Sequence, residues 1–317
     1  MSVLRLTFDT PASVREAIAD AEASYTSQIA STVDAILADG ARVISLAGPT
    51  CSGKTTTALR FTEEFAKHTR KCVTLSIDDF YRDRDREVDM QTTPDYESIS
   101  AIDTELFNDC VTKLLRGESA MFPRYDFTVH RRAEYYELTP SPEDIYVFEG
   151  IQAIYPEILA ILGGEARSIF ISVTDSARIN DVPFDKNELR LLRRLLRDYI
   201  GRTSPADFTL RLWQTVRDNE ERTIYPASAG CDYRISSYLA YETPIIAEYL
   251  LPIIDEVPVA SDCFIAAERI AAKLRLLAPL SPGVEVIPEG SILKEFTENC
   301  NEITLSKYPY GRPHRKR

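Results

Sequence analysis

Little in this chain points to a metal centre or a disulfide framework. Its 317 residues include only three histidines and six cysteines. The cysteines, at 51, 72, 110, 231, 263 and 300, form no C-x-x-C pair and have no paired histidine. Scattered thiols of this kind fit a reducing cytosol better than a secreted scaffold. Basic residues are in deficit, 37 against 49 acidic for a net charge of -12, which argues against general nucleic-acid binding, since that usually needs a basic face. No apolar run approaches a membrane span. Met1-Ser2-Val3-Leu4-Arg5 runs into Asp9 without a signal-peptide pattern, and no internal repeat is found. These absences lead to the expectation of a cytoplasmic protein with neither membrane nor nucleic acid as partner. What is present is a 44% hydrophobic fraction, ample for one large domain or one domain plus an appendage.

The most informative stretch is Gly48-Pro49-Thr50-Cys51-Ser52-Gly53-Lys54-Thr55, with the spacing G-x-x-x-x-G-K-[ST]. An apolar run, Val43–Ala47, leads into it, and Thr56–Phe61 reads as the opening turns of a helix. Strand, glycine-bounded loop and helix are the context this motif demands. The glycines let the backbone curl until its N–H groups converge on phosphate oxygens at the positive end of the helix. Lys54 would reach the β- and γ-phosphates, and the Thr55 hydroxyl would ligate Mg²⁺. The spacing therefore predicts a nucleoside triphosphate site over Gly48–Thr56, with ATP and Mg²⁺ as cofactors.

In chain order, a short Val3–Phe8 run precedes a helix from Thr10-Pro11 and Ser13 to about Leu37, stopped by Asp39-Gly40 and expected beside the first strand. Further strands are expected at Cys72–Ile77, Ile145–Phe148 and Ser168–Val173, alternating with helices, as in a parallel sheet with crossovers. Ligands in such sheets lie beyond the carboxyl ends of the strands, which puts Asp78 near the transferred phosphate. Arg82–Asp95 is polar and aperiodic and reads as a mobile loop. Ile99–Leu115 reads as a helix, and the aromatic stretch Phe122–Arg131 as no regular element. Glu188–Asp198 is an amphipathic helix with an arginine face, Arg202 following just past its end, and another helical run surrounds Leu210–Asn219. Residues 243–277 look helical, broken by Pro252 and Pro258. A Pro/Gly-containing tail ends in a disordered Gly311–Arg317. The division expected is an N-terminal helical segment (1–40), a kinase domain (41–242) and a C-terminal helical extension and tail (243–317).

Four stretches in order carry a resemblance: Gly48–Thr55, Ser76-Ile77-Asp78-Asp79-Phe80-Tyr81, Pro123-Arg124-Tyr125-Asp126-Phe127-Thr128-Val129-His130, and Phe148-Glu149-Gly150-Ile151. Together they resemble uridine/cytidine kinases, in the group that includes phosphoribulokinases. The part beyond Val216, including Pro288–Phe296, is similar to a bacterial branch whose kinase domain often follows a domain like part of threonyl-tRNA synthetases; residues 1–40 leave that domain expected absent. The resemblance implies an α/β fold: a P-loop NTPase-type parallel sheet flanked by helices, with an Arg-rich lid and a helical C-terminal extension. It implies phosphorylation of the 5′-hydroxyl of uridine or cytidine for pyrimidine salvage, with a small nucleoside as partner and homo-oligomers common among similar kinases.

Residue by residue, the resemblance assigns Asp78 as catalytic base, a carboxylate holding Mg²⁺ through water being the alternative. Asp79 stands where a small polar residue is usual, which leaves open which acid does what. Glu149 matches the acid that supports Mg²⁺ with Thr55. Tyr125, Phe127 and His130 match a base-binding loop, and Tyr81 a pocket tyrosine. Glu97 stands where Asp usually binds the ribose hydroxyls, a departure that leaves the sugar open. Arg193, Arg194, Arg197 and Arg202 resemble the lid, with Arg197 and Arg202 the best matches; Arg193 and Arg194 are not separable by sequence, and a solvated helix face with i,i+4 ion pairs would account for some of them. Thr203-Ser204 departs from the usual lid. A kinase for another nucleoside or a sugar phosphate, and a nucleotide-binding regulatory protein, remain as rival readings.

Overall fold

The computed structural model describes residues 3–83, 96–298 and 300. Most of the mobile loop expected over Arg82–Asp95 (84–95) and the tail Gly311–Arg317 lie outside the described residues. Five parallel strands form the main sheet in the order β10-β7-β2-β6-β3, with β2 Val43–Ala47, β3 Cys72–Ser76, β6 Ile145–Glu149, β7 Arg167–Ser172 and β10 Tyr233–Ser236. Their side chains alternate between two cores, as period-2 geometry requires. Ile44, Leu46, Val147, Ile169 and Ile171 face one core; Val43, Tyr146, Phe148 and Phe170 face the other.

The first core is roofed by α1 (Pro11–Asp39), α2 (Lys54–Lys67), α5 (Lys186–Arg202), α8 (Glu242–Ile254) and α9 (Phe264–Leu277). The second is covered by α3 (Thr104–Leu115) and α4 (Pro156–Leu162). Helices on both faces of a parallel sheet make this an α/β fold. The helix α1 has the predicted ends: Thr10 and Ser13 form a capping box, Pro11 opens the first turn, and Gly40 takes the left-handed φ of 70° that ends it. It packs on α2 and β10 and shares a core with β2, and Tyr25 Oη lies 2.8 Å from Thr57 Oγ1. A small second sheet joins β1 (Val3–Leu6) in parallel to β8 (Ser176–Ile179), which turns back into β9 (Val182–Phe184). Among the described residues no helix is long and apolar enough to cross a membrane.

Several local expectations are corrected. Phe122–Arg131 belongs to a regular antiparallel hairpin, β4 (Ala120–Asp126) with β5 (Arg131–Leu138). Pro123 is tolerated because a two-stranded ribbon leaves alternate amides facing outward, and a register shift at Arg124/Tyr125 turns the strand before the loop. The helix expected from Ile99 is a short 3₁₀ turn, Ile99–Ala101, followed by α3; Asp103 breaks the run by capping α3 through Leu106 N at 3.2 Å. Pro252 does not break α8 but sits in its last turn, and Arg202 ends α5 instead of following it. Between α5 and β10 lie α6 (Ala206–Arg222) and α7 (Ile224–Ser228). A last turn, α10 (Lys294–Thr297), lies in the same core as the phosphate-binding strand, through Ile292, Leu293 and Phe296.

Candidate active site

The central strand β2 delivers Gly48 to the carboxyl edge of the sheet. A Cβ at Gly48 would stand 2.2 Å from the Ile171 carbonyl oxygen and 2.5 Å from Ser52 Oγ, so only glycine fits there. Pro49 accepts from Ser52 N at 3.2 Å, and Cys51 and Gly53 take left-handed φ values of 58° and 85° that close the curl. The helix α2 then begins at Lys54 with no side-chain cap and no acid in its first turn. Its leading N–H groups are free for an anion. Lys54 Nζ folds back onto the carbonyls of Gly48 (3.0 Å) and Pro49 (3.4 Å), while Thr55 is exposed on the first turn.

Two buried arginines of α5 grip this loop from outside. Arg190 donates to the Thr50 carbonyl at 3.0 Å and pairs with both oxygens of Glu220 at 2.6 Å. Arg193 donates to the Cys51 carbonyl at 3.3 Å and is held by Glu242 and Ser237. In a trans peptide the N–H points opposite its C=O. Tethering the Thr50 carbonyl therefore turns the Cys51 N–H away from Arg190. This separates the two arginines that sequence could not: Arg193 is a buttress, whereas Arg194 belongs with Arg197 and Arg202. All three of these meet Asp198, at 3.2, 2.8 and 3.7 Å. The arginine face is thus mostly buried, not solvated.

The acids follow from strand register. Ser76 and Glu149 are partners on adjacent strands β3 and β6, and Ser76 Oγ donates to Glu149 Oε1 at 2.8 Å. Burial, and then the charge of Asp78, push the Glu149 carboxyl up to about 7, against the pull of Lys54. Asp78 lies in the 3₁₀ turn Ile77–Phe80 just past β3. Burial raises its pKa too, opposed chiefly by the charge of Lys54, while the Tyr81 hydroxyl donates to the Tyr96 carbonyl at 2.8 Å. Its Oδ1 is shielded from solvent with no partner. Asp79 turns elsewhere and accepts from Tyr125 N at 3.0 Å, pinning the hairpin to the sheet edge. The two acids are thereby sorted: Asp78 is buried within reach of the Lys54 charge, and Asp79 holds the hairpin.

The predicted aromatics converge. Tyr81 contacts Tyr125 and Phe127 with ring centroids at 5.5 and 6.0 Å, and Tyr125 meets Phe127 at 5.0 Å. Tyr96, which the sequence reading passed over, joins at 5.1 Å from Tyr81, and its hydroxyl lies 2.9 Å from His130 Nδ1. Phe127 keeps half its surface exposed. Glu97 follows Tyr96 in the chain and is near enough to Tyr81 to act on its hydroxyl. It lines a cavity of about 350 Å³ with Ser98, Tyr155, Glu157, Asn219 and Arg222, and none of Tyr125, Phe127 or His130 reaches that cavity.

These residues fit a triphosphate with its cation. The Gly48 cradle excludes side chains, Ser52 Oγ and Asp78 Oδ1 are buried without partners, and Lys54 caps the loop. Thr55 and Glu149 are oxygen donors of the kind a hard cation takes. Among the described residues no group of three or more His, Cys, Asp or Glu side chains could hold a metal by itself. A cation carried largely by phosphate oxygens calls for no such cage. Arg190, Asp198, Ser76 and Tyr96 escaped the sequence reading. Asp198 alone left a visible trace, the i,i+4 spacing to Arg194 and Arg202.

This chain is similar to known kinases. The uridine kinase of Halobacterium salinarum is 29% identical over 192 residues, covering 60% of this chain and 77% of its own length. That of Anoxybacillus flavithermus is 31% identical over 192 residues, covering 60% and 83%. The solved structure of a possible uridine kinase from Bacillus stearothermophilus matches 66% of this chain and 97% of its own at a TM-score of 0.45 and 16% identity, too loosely to carry an argument. The model of the phosphoribulokinase/uridine kinase family matches residues 43–242, from the start of β2 to the start of α8. That match takes in the phosphate loop, both acids and the arginine helix together, and the chain belongs to this family of kinases.

Proposed function

We propose that this kinase transfers the γ-phosphate of ATP, with Mg²⁺, to the 5′-hydroxyl of uridine or cytidine, yielding the monophosphate as pyrimidine salvage requires. The observation that carries the reading is the burial of Asp78 just past β3, its Oδ1 without a partner and within reach of the Lys54 charge, in the turn that also carries Tyr81 of the aromatic group. A flat base suits Tyr125 and Phe127, and its polar edge suits His130. The 5′-hydroxyl oxygen forms the new bond to the γ-phosphorus as the bond to the ADP oxygen breaks, and the hydroxyl proton passes to Asp78. A raised pKa makes the Asp78 carboxylate the better acceptor. Lys54 and the Arg194, Arg197 and Arg202 group would bear on the phosphate charge. Thr55 and Glu149 would hold the cation, which neutralises charge on the phosphates when bound. We read the enzyme as cytoplasmic and as one that works in homo-oligomers.

A second reading, a kinase for another small alcohol, is favoured by Glu97, which lines a cavity with Arg222. A phosphorylation screen separates the two. Mg²⁺–ATP is offered with each ribonucleoside, deoxyuridine and a set of sugars and sugar phosphates, and products are identified by mass. Uridine or cytidine monophosphate, with deoxyuridine much poorer, supports the first reading. Turnover of another acceptor alone selects the second.

A further inference from the structure

The run from Pro288 to Phe296 follows the region matched by the family model, yet it returns to the phosphate loop, meeting Gly53 and Thr56 directly and Cys51 through Arg193. Ile292 is fully buried against Gly53, and a Cβ on that glycine would stand 2.6 Å from Ile292 Cγ2. Phe296 lies under the Arg193 guanidinium, 5.3 Å from it, and Arg193 in turn holds the Cys51 carbonyl. Glu295 Oε2 accepts a 2.8 Å hydrogen bond from Thr56 Oγ1. The segment is anchored from behind by Ser291, whose hydroxyl lies 2.9 Å from Tyr241 Oη and accepts from Leu293 N at 3.2 Å. Glu295 is also near enough to Arg197 and Glu149 to act on their charges.

Thr56 is the third residue of α2, and its N–H is one of the leading amides with no partner inside the helix. Where its side chain is fixed, the first turn of the helix is fixed with it. We propose that Glu295 is a positioning residue of the nucleotide site, acting through Thr56 to hold the start of α2 in the conformation that takes phosphate. This rests on Gly48–Thr55 being the nucleotide site. A carboxylate beside a phosphate-binding turn adds unfavourable charge, so what the position needs from Glu295 is an acceptor for the Thr56 hydroxyl. Glutamine keeps that acceptor, and alanine does not.

The test is Mg²⁺–ATP binding by calorimetry on the full chain without acceptor, with thermal unfolding of each variant alongside. Glu295→Ala should weaken ATP about tenfold, the size of one hydrogen bond to a charged partner. Glu295→Gln should bind within about twofold of wild type or tighter, consistent with a retained acceptor and one charge fewer. Thr56→Val should lose as much as Glu295→Ala, and the double variant no more than either single one, because two residues acting as one couple fully. Unfolding midpoints should move little across the set, since Glu295 is half-exposed. Lys54→Ala serves as the control. If it abolishes binding while Glu295→Ala leaves affinity unchanged, or if the losses at 56 and 295 simply add, the proposal is overturned. If Lys54→Ala still binds ATP fully, the phosphate-loop reading itself falls, and this proposal with it.

Discussion

Arg190 ties stability to nucleotide binding in a way that a double-mutant cycle can take apart. Its guanidinium is fully buried, as is Glu220, and the pair is bidentate at 2.6 Å on both arms. Replacing Arg190 by Met leaves the Glu220 carboxylate in the core. Removing one partner of a buried pair costs about 3–5 kcal/mol. The lower end applies here, because Arg217 also donates to Glu220 and remains in place. Replacing both residues by Met removes the stranded charge, and apolar substitution of a buried pair is often close to neutral. Urea unfolding should therefore show Arg190→Met destabilised by about 3 kcal/mol and the double variant recovering most of that. ATP affinity should behave differently. The Thr50 carbonyl loses its tether in both variants, so binding stays weakened, about tenfold, when stability returns. A double variant that regained stability and affinity together would refute the buttress argument. So would an Arg190→Met protein within about 0.5 kcal/mol of wild type.

Other substitutions probe the site more directly. Gly48→Ala would force a methyl group into the Ile171 backbone carbonyl; it should lose about 2–3 kcal/mol in urea unfolding and abolish ATP binding by calorimetry. Asp78→Asn should lower turnover by about 10²–10⁴-fold in a coupled ADP-release assay while ATP affinity changes little, since the phosphate contacts proposed lie elsewhere. Asp198→Asn should release Arg194, Arg197 and Arg202 from their shared carboxylate. We expect a loss of about 1–3 kcal/mol in unfolding and a fall in kcat of about tenfold in steady-state kinetics.

The parts of this fold that could be read from sequence are those where local rules suffice. Val43–Ala47 with its glycine loop, the capped helix from Thr10 to Gly40, and the strands leading to Asp78 and Glu149 each carry their own signal of period, cap or motif. The hairpin around Pro123 was missed because proline argues against a strand until its edge position is known. The 3₁₀ turn at Ile99 was missed because the apolar spacing runs on across the Asp103 cap. The site residues that escaped are those defined by long-range partners. Nothing in the sequence announces that Arg190 meets Glu220, thirty residues on, or that Ser76 lies across from Glu149. Likewise, Arg193 and Arg194 are neighbours of one type, and only the burial of the helix assigns them to opposite duties.

The return of residues 288–296 to the phosphate loop bears on how this protein can be dissected. A fragment ending at Glu242, where the family match ends, would keep every residue expected to touch substrate. It would also uncover α5, on which α8 and α10 pack. Gly53 would lose the isoleucine seated on it. We expect the smallest unit able to fold to be larger than the stretch that carries the chemistry. Insertions, fusions and truncations made for expression should therefore spare the chain at least as far as Thr297.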